Sequence, residues 1–162
     1  MFYVIIGLTV AAFLIHLAVS KKARAKDKIL ETLLLYILVF CVGVTGIMAF
    51  MGHVYSSNSI AESIGWAIGS PFQLEVGMAN LAFGVLGILC IWFRGKFWLA
   101  TVIGWATFLL GDAWVHLRDI SLHQNYASGN SGVQLYLGDL ALPIIVLILV
   151  IIYTKMSSKK PS

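Results

Sequence analysis

The chain has 162 residues, of which 60% are hydrophobic and 11% charged, against about a quarter charged in an ordinary soluble domain. Its mean hydropathy is +0.93, which excludes a water-soluble domain of common type. The formal net charge of +4 comes from basic residues gathered in two linkers and the tail, a distribution that speaks of membrane topology and not of nucleic acid.

Five predominantly apolar runs reach the roughly 18 residues needed to cross a bilayer as a helix: Phe2–Ser20, Ile29–Met51, Phe72–Phe93, Phe97–Leu117 and Leu135–Thr154. They predict an all-α polytopic membrane protein in which residues 1–162 form a single transmembrane bundle. The first run has no basic residue ahead of it and no small-x-small cleavage pattern, so it reads as an uncleaved anchor. Its one notable polar group, His16, is placed to reach the headgroups or a neighbouring helix.

Lys21, Lys22, Arg24, Lys26 and Lys28 follow, with Asp27 and Glu31 suited to the positive end of the next helix. The second run has few polar groups beyond Tyr36 and Thr45, and Gly43 and Gly46 permit close approach of another helix. Cys41 here and Cys90 in the third run read as small buried hydrophobes.

Between the second and third runs, Ser59–Glu62 has the S-x-x-E form of a capping box, which predicts a short interfacial helix over Ile60–Ile68 anchored by Tyr55 and Trp66. Pro71 suits the first turn of the third span. That span places Gln73, Gly77, Asn80, Gly84 and Gly87 on one face and Glu75, Ala79 and Ala82 on the other, the pattern of a central helix packed on both sides.

Arg94-Gly95-Lys96 makes a tight turn into the fourth span, flanked by Trp92, Phe93, Phe97 and Trp98. Arg118–Val133 is polar and rich in turn formers, long enough to form a lid. In the fifth span, Pro143 removes a backbone donor four residues after Asp139 and predicts a kink near the acid.

Ten of the eleven Lys and Arg residues (Lys21, Lys22, Arg24, Lys26, Lys28, Arg94, Lys96, Lys155, Lys159 and Lys160) fall on one side of these spans, and only Arg118 on the other. The basic side is the cytoplasmic one by the positive-inside rule, which puts the N-terminus outside and the C-terminus inside.

Ionisable groups inside apolar spans are costly and mark ion, proton or substrate sites. Glu75, Asp112, His116 and Asp139 lie at similar depth in the outer third of spans three, four and five. Asp112 and His116 are four apart and share a helix face, which continues inward through Phe108, Trp105 and Thr101. Asn80 lies deeper, and Gln73, Arg118, Asp119, His53 and His123 are accessory candidates near the same surface.

Three chemistries fit this set. One is a protonatable relay or solute site, with Glu75, Asp112 and Asp139 supplying charge, His116 a proton partner or ligand, and Asn80 a deeper hydrogen bond. A second is a divalent metal (iron, manganese or zinc) held by Glu75, Asp112 and His116 in a membrane oxidoreductase or hydrolase, though bundle metal sites usually take Glu-x-x-His pairs from two helices. The third is structural, with the polar groups fastening helices in a non-catalytic assembly subunit. The leading expectation is binding or translocation of a small solute, proton or cation through an outward-facing pocket. The expected partners are the bilayer, a small solute or ion, and a homo-oligomeric copy or membrane subunit.

The stretch Gly69-Ser70-Pro71-Phe72-Gln73, Glu75, Gly77, Ala79-Asn80 and Gly84, followed by Gly111-Asp112, His116, Asn125, Gly129-Asn130, Leu135-Tyr136 and Asp139, resembles an uncharacterised family of small multi-pass prokaryotic membrane proteins. The resemblance covers about residues 65–143 and implies a protein of the prokaryotic cytoplasmic membrane. It carries no activity, cofactor or catalytic residue.

Overall fold

A computed structural model describes Phe2–Ser158; Lys159 and Lys160, counted above among the basic residues, lie outside the described residues. All regular structure among the described residues is helical. Helix α1 spans Phe2–Val19, and α2 (Lys26–Ile37) runs through a π-helical segment, Leu38–Val44, into α3 (Thr45–Tyr55) as one rod. Then come α4 (Ser57–Ile64), α5 (Phe72–Leu89), α6 (Lys96–His123) and α7 (Ser128–Ser131). A second π-helical segment, Gln134–Ala141, leads into α8 (Leu142–Ser157). Five of the resulting helices are long and apolar enough to cross a membrane.

The rod of α2 and α3 is the central element, touching α1, α5 and α8. Its tightest neighbour is α5, and glycine makes the contact. A Cβ on Gly46 would sit 2.7 Å from the Asn80 carbonyl oxygen and from the Gly84 nitrogen, and one on Gly87 would collide with the backbone of Gly43. Backbones this close exchange dispersion contacts that larger side chains would hold apart. Of the face of α5 read as Gln73, Gly77, Asn80, Gly84 and Gly87, all are buried but Asn80, which is half-buried.

The opposite face of α5 is not buried. Glu75, Met78, Ala82 and Val85 are exposed, and α5 meets α6 only sparsely, with Phe83 against Phe108 at 5.4 Å between ring centres. The expectation of an α5 packed on both sides is corrected: α5 is an edge helix, and the second span takes the centre because both glycine contacts and its buried leucines point inward from it.

Near the basic end the bundle is solid. Leu34, Leu38 and Val42 of the rod, Trp98 and Val102 of α6, and Val146 and Val150 of α8 have no exposed surface. The Trp98 indole N–H donates to the Cys90 carbonyl at 3.0 Å, and Arg94 lies over its ring at 5.0 Å. Cys41 and Cys90 are both free and buried. The His16 ring meets the Tyr36 hydroxyl of the next helix at 3.2 Å, one of the two roles its position allows.

The other end carries the long connections, and three sequence expectations change there. The short helix is Ser57–Ile64 and not Ile60–Ile68: its N-cap is Ser56 with no side-chain bond, so no capping box forms, and Gly65 ends it in the left-handed conformation (φ 80°) that glycine adopts freely. Helix α6 continues six residues past Leu117, to His123, which shortens the polar loop. Pro143 is seated at the beginning of α8, directly after the π-helical Gln134–Ala141 that holds Asp139. The wider i→i+5 turn precedes the proline that lacks a donor.

Candidate functional site

Where the basic half is filled, the loop half is hollow. A cavity of about 360 Å³ lies between α3, α5, α6 and the second π-helical segment, with the first turn of α1 closing one side. That size falls at the low end of small-molecule sites, roughly 300–1,000 Å³. Its deep wall is apolar and aromatic, with Phe83, Trp105, Phe108 and Leu109, while His53, Gln73, Asn80, Asp112, His116 and Asp139 face it from the loop side.

Asp112 and His116 project from one face of α6, with the carboxylate Oδ2 3.8 Å from His116 Nε2. His116 is 6% exposed and its tautomer is legible. Asn130 Nδ2 donates to the Asn125 carbonyl at 2.7 Å, which turns its Oδ1 toward His116 Nδ1 at 2.6 Å. An amide oxygen only accepts, so Nδ1 carries the proton and Nε2 is left to face Asp112.

Asp139 reaches the cavity from the π-helical segment and is 5% exposed. The Gln134 side-chain N–H donates to its Oδ1 at 2.9 Å. Residues five apart diverge on an α-helix, and the π turn brings this pair side by side. On the facing wall the His53 Nδ1–H donates to Gln73 Oε1 at 2.6 Å, and Asn80 donates to the Val76 carbonyl at 3.0 Å.

A roof covers these groups. Trp66, just past Gly65, stacks on the His116 ring at 5.3 Å and 15°, and its indole N–H donates to Asp119 Oδ2 at 2.9 Å. Asn125 donates to the same oxygen at 2.7 Å and to the Ile64 carbonyl at 2.9 Å. His123 donates to Asp119 Oδ1 at 2.7 Å. Asp119 is therefore the tie point that joins the end of α6, the connection through α7, and the end of α4.

The structure thus gathers Asp112, His116, Asp139 and Asn80 around one hollow, with Gln73 and His53 beside them. Asp119 and His123 hold its roof. Two candidates fall elsewhere. Glu75 is exposed on the outward face of α5 and does not line the cavity, because it sits two residues, about 200° of helical rotation, from Gln73. Arg118 is exposed over Trp114 at 5.9 Å and makes no ion pair among the described residues; the carboxylate of the adjacent Asp119 is taken by Trp66, Asn125 and His123.

With Glu75 turned away, the described residues hold no group of three His, Cys, Asp or Glu side chains placed to bind a metal ion. Residues that reasoning on spans missed are Trp66, read only as an interfacial anchor, and Gln134 and Asn130. Asn130 does stand among the residues that carried the family resemblance, and its side chain bonds His116.

No curated protein and no solved structure matches the chain. One family model does, over residues 1–159, so the match extends past the signature region to the first two spans as well. The chain belongs to DUF6790, a family of unknown function.

Proposed function

We propose that the protein lies in the cytoplasmic membrane of a prokaryote, N-terminus outside and C-terminus inside, and binds a small solute in the hollow beneath its outer surface. The observation that carries this is one cavity of about 360 Å³ into which two carboxylates, two imidazoles and three amides converge from four helical elements. Helices fastened only for stability would place such groups against each other without leaving a hollow between them, since buried polar groups are costly unless paired. Asp112 keeps 30% of its side-chain surface while His116 keeps 8%, so Asp112 is the more accessible of the pair.

The basic half of the bundle holds a cluster of buried apolar residues, and the lining of the cavity does not extend to Leu38, Trp98, Val146 or Val150 in it. One bundle therefore suits capture of a solute at the outer face, and passage across the membrane would call on a second copy or a partner subunit. Binding of small aromatic solutes to purified protein in lipid nanodiscs, followed by equilibrium dialysis, tests the reading. Saturable binding lost in Ala49→Phe, which fills the hollow without altering a charge, supports it. Binding that survives this substitution in a monodisperse protein, or no binding by any solute, overturns it.

A further inference from the structure

We infer that the ligand of this cavity is an amphipathic organic cation: a protonated amine joined to a compact apolar or aromatic body. The inference rests on the binding reading above and adds the chemical class. Three features of the lining select it.

The first is charge. Asp112 and Asp139 both face the hollow, and no Lys or Arg lines it. An anion would meet two carboxyl groups with no fixed cation to offset them. The second is an open valence in a closed place. Asp139 is 95% buried, and while its Oδ1 accepts from Gln134, its Oδ2 accepts no hydrogen bond among the described residues. No buried side-chain oxygen among the described residues lacks a partner, so Oδ2 keeps accessible surface; such an oxygen is an acceptor for an ammonium N–H, and charge-assisted bonds of this kind are the strong ones. The third is the deep wall. Phe83, Trp105, Phe108 and Leu109 present apolar and π surface directly below the polar groups. A bare inorganic cation would leave that wall without contact, and the described residues offer it no three-ligand set. An alkyl or aryl body fills the wall, and the aromatic faces attract the adjacent positive charge.

The roof fits the same ligand. Trp66 lies flat on His116 and also lines the cavity, so a planar body lodged below would continue an existing stack.

The test uses full-length protein in nanodiscs and three probes of similar shape: 2-phenylethylamine, 2-phenylethanol and 3-phenylpropanoate. Isothermal titration at neutral pH is expected to show saturable binding of the amine, with the neutral alcohol weaker and the carboxylate silent. Asp139→Asn, which preserves the bond from Gln134, is expected to weaken the amine by roughly 10- to 100-fold, the equivalent of one charge-assisted hydrogen bond. Phe108→Ala should weaken amine and alcohol alike, and Glu62→Gln, an exposed acid outside the cavity, should change neither. If Asp139→Asn fails to give monodisperse protein, Asp112→Asn serves as the second variant, with the same selective loss of the amine expected. Equal or tighter binding of the carboxylate, or amine binding indifferent to both Asp substitutions, overturns the cationic class; if that binding is still lost in Ala49→Phe, the cavity reading stands alone. Silence from all three probes overturns the cationic class.

Discussion

The two halves of this bundle are built from the same five long helices yet packed by different rules. Toward the basic end, the rod of α2 and α3, α6 and α8 interlock through residues such as Leu38, Val42, Trp98, Val102 and Val146 with no surface left exposed. Toward the loop end the helices part around a cavity of about 360 Å³, and His53, Asp112, His116 and Asp139 gather there. Close packing maximises dispersion contact, while a hollow lined with ionisable groups gives that contact up and adds the cost of burying charge. Close packing and a polar hollow are thus separated along the bundle axis, one in each half.

Substitutions divided between the halves can break that separation. The largest effect is expected from Trp98→Ala. It removes a fully buried indole and its bond to the Cys90 carbonyl, a change that costs about 3–5 kcal/mol in well-packed cores. Thermal unfolding followed by intrinsic fluorescence should show a melting temperature lower by about 10 °C, and a drop of only a degree or two would mean that the basic half is not the stabilising one. Gly87→Ala comes next. Its new methyl group must displace the Gly43 backbone and so pry α5 from the rod, an overpacking worth about 1–3 kcal/mol. Gly69→Ala, with nothing within 4 Å of the added atom, is the control for packing at a glycine, although its φ of 77° adds a strain of its own.

In the loop half, Asn130→Ala should cost about 1–3 kcal/mol, because it leaves the buried His116 Nδ1–H without an acceptor. The readout that distinguishes a roof from ordinary packing is proteolysis: cleavage within residues 124–133 should accelerate while the spans stay intact. Uniform loss of the whole bundle would place Asn130 in the core of stability instead.

These contrasts show which parts of the molecule were legible in the sequence. Hydropathy gives the number and rough extent of the spans, since a long apolar run has few other uses, and the glycine and polar stripe of α5 gives the face that meets the rod. Counting from span ends puts Asp112, His116 and Asp139 in one layer, and the three line one cavity. Azimuth was not. Glu75 lies at similar depth but points away, and only the packing of α5 at the edge of the bundle decides that. The partner of Asp139 was hidden for a related reason. Gln134 reaches it only through a π-helical turn, and an α-helical projection puts the two on different faces. The Asp119 tie point depends on Gly65 turning Trp66 back over α6, a tertiary contact between residues 53 apart in the chain.

Asp139→Asn sharpens the comparison in the opposite direction from the core substitutions. The amide keeps the Gln134 bond and removes a carboxylate that is 95% buried, so the melting temperature should rise by a few degrees, on the order of 1 kcal/mol of relief from charge burial. Gain of stability together with loss of amine binding is the signature of a residue kept for a ligand. A fall comparable to that of Asn130→Ala would instead make Asp139 a fastening between helices.

Glu75→Gln is expected to have the smallest effect, and it separates depth from direction. Were Glu75 a member of the outer carboxylate layer in function as well as in depth, the substitution would weaken amine binding as Asp139→Asn does. Its side chain is exposed on the edge face of α5, outside the cavity, with no hydrogen bond or ion pair among the described residues. Glu75 sits in the first turn of α5, close enough to the helix end for its carboxyl to reach headgroups and water, so melting temperature and amine affinity should both match the unaltered protein. A loss of affinity would require α5 to turn by roughly half a rotation about its axis, and that would break the Gly43–Gly87 and Gly46–Gly84 contacts that hold it to the rod.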